Sequence, residues 1–575
     1  MPNKAPVIAF VHLPTVLYGQ IFDLGADPPY LCMPLGIMYL SATLKQKSIA
    51  ADIFTIDYAV AARDLRLDVI DDDRDLSAYR DGPELFINEV AAEAAAGRVP
   101  DVIAVSLMFS TSRLIAMQIT EALKRKWPKA MVIFGGNHAT NDVPYLLSHP
   151  DVDYVCRGEA DWAFPQFINQ LAETDRPVVQ GFYGKADLAE GKGTCAICVY
   201  PEELDELPFP DWAIIEVESY QATKSKRKRD FVSEVGTRNV SIMTSRGCPF
   251  SCTFCASHSV HGRKMRFRSV DNVLAEMNEI YRRFGATLFV PEDDLFTANK
   301  KRTLALLEGI RGLDIPGLEM EFPNALSVNT LDEDVIDALC RSGMRLFSLA
   351  VESGSPHTQV QLIKKRVNLD RARRLVKYAN DRDLYTRVNF IIGFPNEKME
   401  HIQETIDFAK TLGADWSVIQ VATPLLGSEM FDQFNAMGVL DFDSRNWENT
   451  YWDRGFDTED FTASELVEVA YRANLEVNFL NNRQMRLGQW ELAIGVFTDV
   501  ADLHPFHVIA HYLILQCLEH LGRNVEAMER LAHIRHLVET VDSSADMLRK
   551  YGDLVPELVS RLGQVDARAA SSLVA

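Results

Sequence analysis

The residues in this chain best equipped for chemistry are three cysteines. They lie in Thr244-Ser-Arg-Gly-Cys248-Pro-Phe-Ser-Cys252-Thr-Phe-Cys255, at C-x3-C-x2-C spacing. The stretch follows the apolar run Val240-Ser-Ile-Met and forms a loop marked by Gly247 and Pro249. Thiolates are soft, strongly donating ligands and hold iron–sulfur clusters. Three of them can bind three irons of a four-iron, four-sulfur cluster, leaving the fourth iron free to bind a substrate. Zinc is the alternative, because His258 or His261 could complete a Cys3His set. A disulfide fits poorly, since three cysteines leave one unpaired and nothing suggests export.

The elements that must position this loop follow an alternating pattern. Up to about residue 180, strand-like runs (Val7–Val11, Asp52–Ile56, Val102–Ser106, Met131–Phe134, Asp153–Cys156) alternate with helical patterns. From about 236 a second series begins, with strands ending at Thr244, Val290, Phe322, Val351, Ile392 and Val421 and helices between them. Such alternation predicts parallel sheets covered on both faces, with ligands outside the carboxyl ends of the strands. Those ends carry Ser106, Ser110 and Thr111 after the third strand, and Gly135-Gly-Asn-His-Ala-Thr140 after the fourth. In the second series they carry Pro291-Glu-Asp-Asp294, Glu352-Ser353-Gly354, Asn389 and Gly393-Phe-Pro395. Taken singly, each acidic residue reads as well as a rim carboxylate or helix cap as it does as a ligand contact.

Taken together, these motifs resemble the cobalamin-dependent (class B) radical S-adenosylmethionine (SAM) enzyme family. The cysteine spacing, with Phe254 before the third cysteine, resembles the family's cluster signature. Ser106-Leu107 and Gly135-Gly136 are spaced like the Ser-x-Leu and Gly-Gly elements of cobalamin-binding domains, and Arg157-Gly158-Glu159 is similar to its radical SAM version. The resemblance, which covers roughly residues 1–440, implies an α/β chain with a Rossmann-like cobalamin-binding domain (1–185) and, after a connector (186–235), a partial (β/α)6 barrel of the TIM type (236–445); the helical pattern beyond it marks a C-terminal domain (446–575). The resemblance implies a [4Fe-4S] cluster on Cys248, Cys252 and Cys255, and SAM beside Phe254, Glu292, Asp293, Glu352, Ser353, Asn389 and Gly393. Cobalamin would meet Ser106, Leu107, Ser110, Thr111, Gly135, Gly136, Asn137, His138, Thr140, Gly158 and Glu159. The family's Asp-x-His-x-x-Gly should follow the first strand, where this chain reads His12-Leu-Pro-Thr-Val-Leu-Tyr-Gly19, so no histidine is expected on cobalt. The implied activity is methylation of a carbon of a small molecule by a 5′-deoxyadenosyl radical and methylcobalamin, fed by a donor such as flavodoxin or ferredoxin. Cyclisation or rearrangement without methyl transfer is the alternative.

Composition sets bounds on this reading. Over 575 residues the formal net charge is -22, the wrong sign for a general nucleic-acid binder. The basic run Lys224–Arg229 is the local exception and reads as a solvated linker. No run approaches the roughly 20 apolar residues of a membrane span, and the N-terminus does not read as a signal peptide. A cytoplasmic protein with reduced thiols is expected, and the pair Cys195/Cys198 lacks a second pair for zinc. Beyond about residue 460 the pattern is helical. Gly488 and Ala493 recur as Gly522 and Ala527, 34 positions on, a period that resembles tetratricopeptide repeats.

Overall fold

The computed structural model describes residues 5–14, 31–67, 83–174, 176–191, 196–221, 238–448 and 453–563. The basic run at 224–229, Cys195 and residues 15–19 of the loop after the first strand lie outside them.

Six strands form the first sheet: β1 (Val7–His12), β2 (Asp52–Asp57), β3 (Val102–Ser106), β4 (Met131–Gly135), β5 (Tyr154–Cys156) and β6 (Phe182–Gly184). Their order is β2-β1-β3-β4-β5-β6, parallel except for the antiparallel pair β5–β6. Alternate residues feed two cores. Val11, Ile103 and Phe134 lie in one, and Ile8, Phe10 and Ile133 in the other, so helices cover both faces. β6, only three residues long, has too short a pattern to read in sequence.

The chain then crosses to a second set of strands: β7 (Asn239–Ile242), β8 (Ser245–Arg246), β9 (Arg266–Phe267), β10 (Leu288–Pro291), β11 (Glu319–Met320), β12 (Leu326–Ser327), β13 (Leu346–Glu352), β14 (Tyr385–Ile392) and β15 (Trp416–Val421). β8 and β9 form a short antiparallel clip. The others make two parallel sheets, β11-β10-β7 and β12-β13-β14-β15, linked by a bridge between Met320 and Met344. Helices 270–284, 300–312, 333–341, 369–380 and 399–412 follow successive strands. Several begin on side-chain caps: Ser269, Asn299, Asp332 and Asn368 each accept an N–H three residues on, worth about 1 kcal/mol apiece. Along β14 the even-numbered residues are buried, Val388 and Phe390 under the helices, while Arg387, Asn389 and Ile391 on the opposite face are only half-buried. The stretch before β7 is no loose connector: Leu204, Leu207, Trp212 and Tyr220 are buried in the core that also holds Phe289, Phe347 and Phe390.

The C-terminal helices build a third core around Phe479, Phe497 and Leu513. They dock on the open edge of β15, where the Asn478 amide accepts the Ser417 N–H (2.7 Å) and donates to its carbonyl (2.6 Å). A side chain thus satisfies backbone groups that a neighbouring strand would otherwise take. Gly488 and Gly522 have φ +70° and +72°, and each immediately precedes a helix, at 490–503 and 524–540. Among the described residues no helix is long and apolar enough to cross a membrane.

Candidate active site

The cysteine loop is shaped by contacts outside itself. Asp293, at the end of β10, accepts the Thr244 N–H (2.7 Å), the Thr244 hydroxyl (2.6 Å) and the Ser245 hydroxyl (2.6 Å). Gly247 has φ +91°, and a Cβ there would stand 2.4 Å from the Lys264 carbonyl oxygen. Between the second and third cysteines, Thr253 donates through its N–H to Ile363 (3.1 Å) and through its hydroxyl to Leu362 (3.0 Å).

All three thiols are free and half-buried. Burial pushes Cys248 up to about 11 and Cys252 up to about 12; Cys255 adds to both shifts and Lys365 opposes them. Without a cation these two groups are protonated at neutral pH, whereas a bound metal would take them as thiolates. Zinc–sulfur bonds of about 2.3 Å would bring tetrahedral ligands to roughly 3.8 Å of one another. Among the described residues the one group of three ligating side chains within 4.8 Å of one another is His138, Asp142 and Glu448, so the three thiols and their neighbouring histidines stand further apart. His261 instead gives its Nδ1 to Glu159 (2.8 Å). The donors are soft and too widely spread for one zinc ion, which fits a cluster.

The strand ends around this loop form a rim. Glu352 sits at φ +71°, where the β13–β14 register slips, and accepts from Lys365 Nζ at 2.8 Å. Lys365 lies 6.0 Å from the ring centre of Phe254, which in turn lies 6.1 Å from that of Phe394. One oxygen of Asp294, Oδ2, is buried with no hydrogen-bond partner, and the Asp294 charge is felt at Cys248. Asn389 is half-buried on the strand face opposite the helices. The Gly393 and Phe394 N–H groups donate to Glu397 Oε2 (2.7 and 3.1 Å), and the Thr358 hydroxyl to Oε1 (2.9 Å). Burial outweighs these donors and pushes Glu397 up to about 7. Other expected site residues are engaged by the protein itself. Glu292 accepts from Ser241 (2.8 Å), Asp293 clamps the loop, and Ser353 bonds Thr405 (2.9 Å).

On the first sheet, the β3 and β4 loops meet closely. Leu107 N–H donates to the Gly135 carbonyl (2.7 Å), and a Cβ on Gly136, φ +106°, would stand 2.5 Å from the Leu107 oxygen. Ser106, Ser110, Thr111, Gly135 and Gly136 are half-exposed and Asn137 is exposed, beside the outward apolar side chains Met108 (43%) and Phe109 (38%). An open glycine at a strand end next to exposed apolar side chains fits a broad flat ligand. His138, by contrast, is buried between Ser110 Oγ (2.9 Å) and Asp142 (3.0 Å), and Thr140 accepts the Gly158 N–H (3.0 Å). Asp142 is further bound by Arg445 (2.6 Å).

Glu159 joins the two halves. Its carboxylate binds Arg246 of the cysteine loop (2.6 Å), Arg266 and His261, and Asp161 takes Arg246 as well (2.7 Å). These cations hold Glu159 well below the usual carboxylate range despite its burial. Asn141 also donates to Ser259 (2.9 Å), so the strand-end loops of the first sheet face the cysteine loop. Sequence reasoning did not single out Asp294 Oδ2, Lys365 or Glu397. Lys365 carries no local signal, whereas Glu397 follows a Gly-Phe-Pro turn that marks a loop needing acceptors.

Two family descriptions match the chain: the radical SAM superfamily over residues 242–409 and the B12 binding domain over 23–168. The chain thus pairs a radical SAM domain with a B12-binding domain, the combination of the class B radical SAM enzymes. Its relatives narrow the comparison. The cytidylyl-2-hydroxyethylphosphonate methyltransferase of Streptomyces wedmorensis is 26% identical over 80% of this chain and 88% of its own. An uncharacterized methyltransferase of Pyrococcus horikoshii is 28% identical over 65% and 78%. Among solved structures, the cobalamin-dependent SAM radical enzyme OxsB has a TM-score of 0.62 at 13% identity, covering 96% of this chain and 81% of its own. The radical SAM methyltransferase TsrM of Kitasatospora setae, solved with tryptophan and a SAM analogue, has a TM-score of 0.51 at 16% identity, covering 76% and 77%. These two share the fold.

Proposed function

We propose that this protein is a cobalamin-dependent radical SAM methyltransferase acting on a carbon of a small molecule. One observation carries the reading: three free, spread thiols on a pre-shaped loop face the glycine-lined strand ends of a second sheet. The methyltransferase names of its relatives point the same way. We divide the chain into a Rossmann-like cobalamin domain to about 185, a connector, a partial (β/α)6 barrel at 236–445 and a tetratricopeptide-like cap.

When bound, the cluster and SAM supply a carbon-centred radical and cobalamin supplies a methyl group. The protein's residues hold and shield. Cys248, Cys252 and Cys255 would each take one iron and leave a fourth open. Asp294 Oδ2, buried and unpartnered, is placed to accept an ammonium group. Phe254 and Phe394 wall the loop from water, and Lys365 keeps the Glu352 carboxylate compensated at its strained position. Asn389 and the turn at Gly393 offer polar contacts on the same rim. The substrate enters the space between the two sets of strand ends.

The test is anaerobic reconstitution with iron, sulfide and cobalamin, followed by reduction with SAM. About four irons per chain are expected, with both 5′-deoxyadenosine and S-adenosylhomocysteine released. Cys255→Ala should abolish the deoxyadenosine. Deoxyadenosine without S-adenosylhomocysteine would instead assign the protein to cyclisation or rearrangement.

A further inference from the structure

The parallel strands of the second half, β7 and β10 to β15, carry a single lysine or arginine, Arg387 on β14. It stands on the half-buried face of that strand with Asn389 and Ile391. The opposite face, with Val388 and Phe390, packs under the helices, so Arg387 lies on the interior face of the proposed barrel. Its register partner on β13, Ser348, accepts from Arg387 Nε (3.3 Å), and the side chain therefore leans over β13, away from β15.

Among the described residues this is the one hydrogen bond of Arg387, and it forms no ion pair there. Neither terminal nitrogen of the guanidinium is sealed from solvent. Carboxylates of the second half are engaged elsewhere. Glu352 accepts from Lys365 (2.8 Å), while Glu292 accepts from Ser241 (2.8 Å) and Glu319 pairs with Arg345 (3.1 Å) at the other sheet. Tyr385, the preceding residue on the same face, supplies no negative charge, because burial pushes its phenol further up from its ordinary value.

A cation withdrawn from water costs free energy unless an anion compensates it. The planar fork of a guanidinium matches two oxygens of a carboxylate or phosphate. Two amides on the same face also make no hydrogen bond among the described residues: Asn389, and Gln420 of β15, the register partner of Ile391. They form a polar track from Arg387 towards Ile392, where β14 ends. At 3.3 Å per residue that end is roughly 16 Å from Arg387.

We infer that the methyl acceptor is an elongated oxyanion: Arg387 grips its charged end inside the barrel, while the reacting carbon stands at the mouth between the two sets of strand ends. This rests on the methyltransferase reading above and narrows its substrate class. The groups proposed to meet SAM, such as Asp294 and Gly393, belong to the strand ends, so a cation placed deeper in the barrel selects the acceptor.

The experiment uses full-length protein reconstituted with its cluster and cobalamin, with inorganic phosphate as the probe. Phosphate should show a saturable broadening of its phosphorus NMR line, and the broadening should persist in excess SAM. Arg387→Gln should weaken phosphate binding about tenfold or more, as expected for lost charged hydrogen bonds, with iron content and SAM affinity unchanged. Arg387→Lys keeps the charge without the fork, guards against loss of folding, and should bind phosphate with intermediate strength. Absence of binding in the wild type, or equal binding in both variants, would overturn the inference. Displacement of phosphate by SAM would overturn it as well, assigning the cation to the carboxylate of SAM. Failure to take up a cluster, or to release S-adenosylhomocysteine, would be a separate result, refuting the methyltransferase reading itself.

Discussion

At the scale of single residues, Glu397 is a buried carboxyl whose hydrogen-bond donors do not offset its desolvation. Its folded value of about 7 against an ordinary 4.5 means that the folded chain holds a proton which the unfolded chain has released. The stabilisation is fully present below pH 4.5 and is lost as pH rises through 7; the shift corresponds to roughly 3 kcal/mol. Denaturant midpoints of wild type and Glu397→Gln, compared across that window, should lie close together at low pH and diverge as the pH rises, the wild type falling and the variant staying flatter. A wild-type curve as flat as the variant's would contradict the assignment. The same residue shows what a sequence hides. A glutamate after a Gly-Phe-Pro turn invites a capping role, but its second oxygen accepts from Thr358, which comes from a different strand-to-helix connection.

At the scale of elements, the β4 turn is tightly constrained. Gly136→Ala would force a side chain into φ +106° with its Cβ 2.5 Å from a backbone oxygen. Neither can yield without moving the β3 loop, so a loss of about 1–3 kcal/mol is expected, with weaker corrin uptake. Thermal melting and equilibrium dialysis with cobalamin would measure both. Much of this level is legible from the chain alone. Strand-to-helix alternation is strongly periodic, and capping residues such as Asn299 and Asp332 stand at the helix starts where they should. β6 escapes because three residues carry no period. The segment 204–221 looks like a linker because of its prolines, yet Leu204, Trp212 and Tyr220 bury into the second half's core. Local composition does not record which apolar residues find distant partners. The cysteines are legible because their ligands are consecutive, whereas Lys365 and Arg246 acquire meaning only through partners brought to them by the fold.

At the scale of the whole molecule, Glu159 ties the two halves together. Replacing it with alanine leaves Arg246 and Arg266 buried side by side, with Asp161 the remaining compensation for Arg246. A cost of about 3–5 kcal/mol is expected, and calorimetry should show one cooperative transition separating into two. A single unaltered transition would mean that the halves are held mainly by apolar contacts. The clamp from Asp293 has a different consequence, for the order of assembly. Because Asp293 holds the entry to the cysteine loop through protein contacts alone, the polypeptide is expected to finish folding before any inorganic part arrives. A cluster destroyed by oxygen can then be rebuilt in place, in contrast to small zinc domains that come apart with their ion.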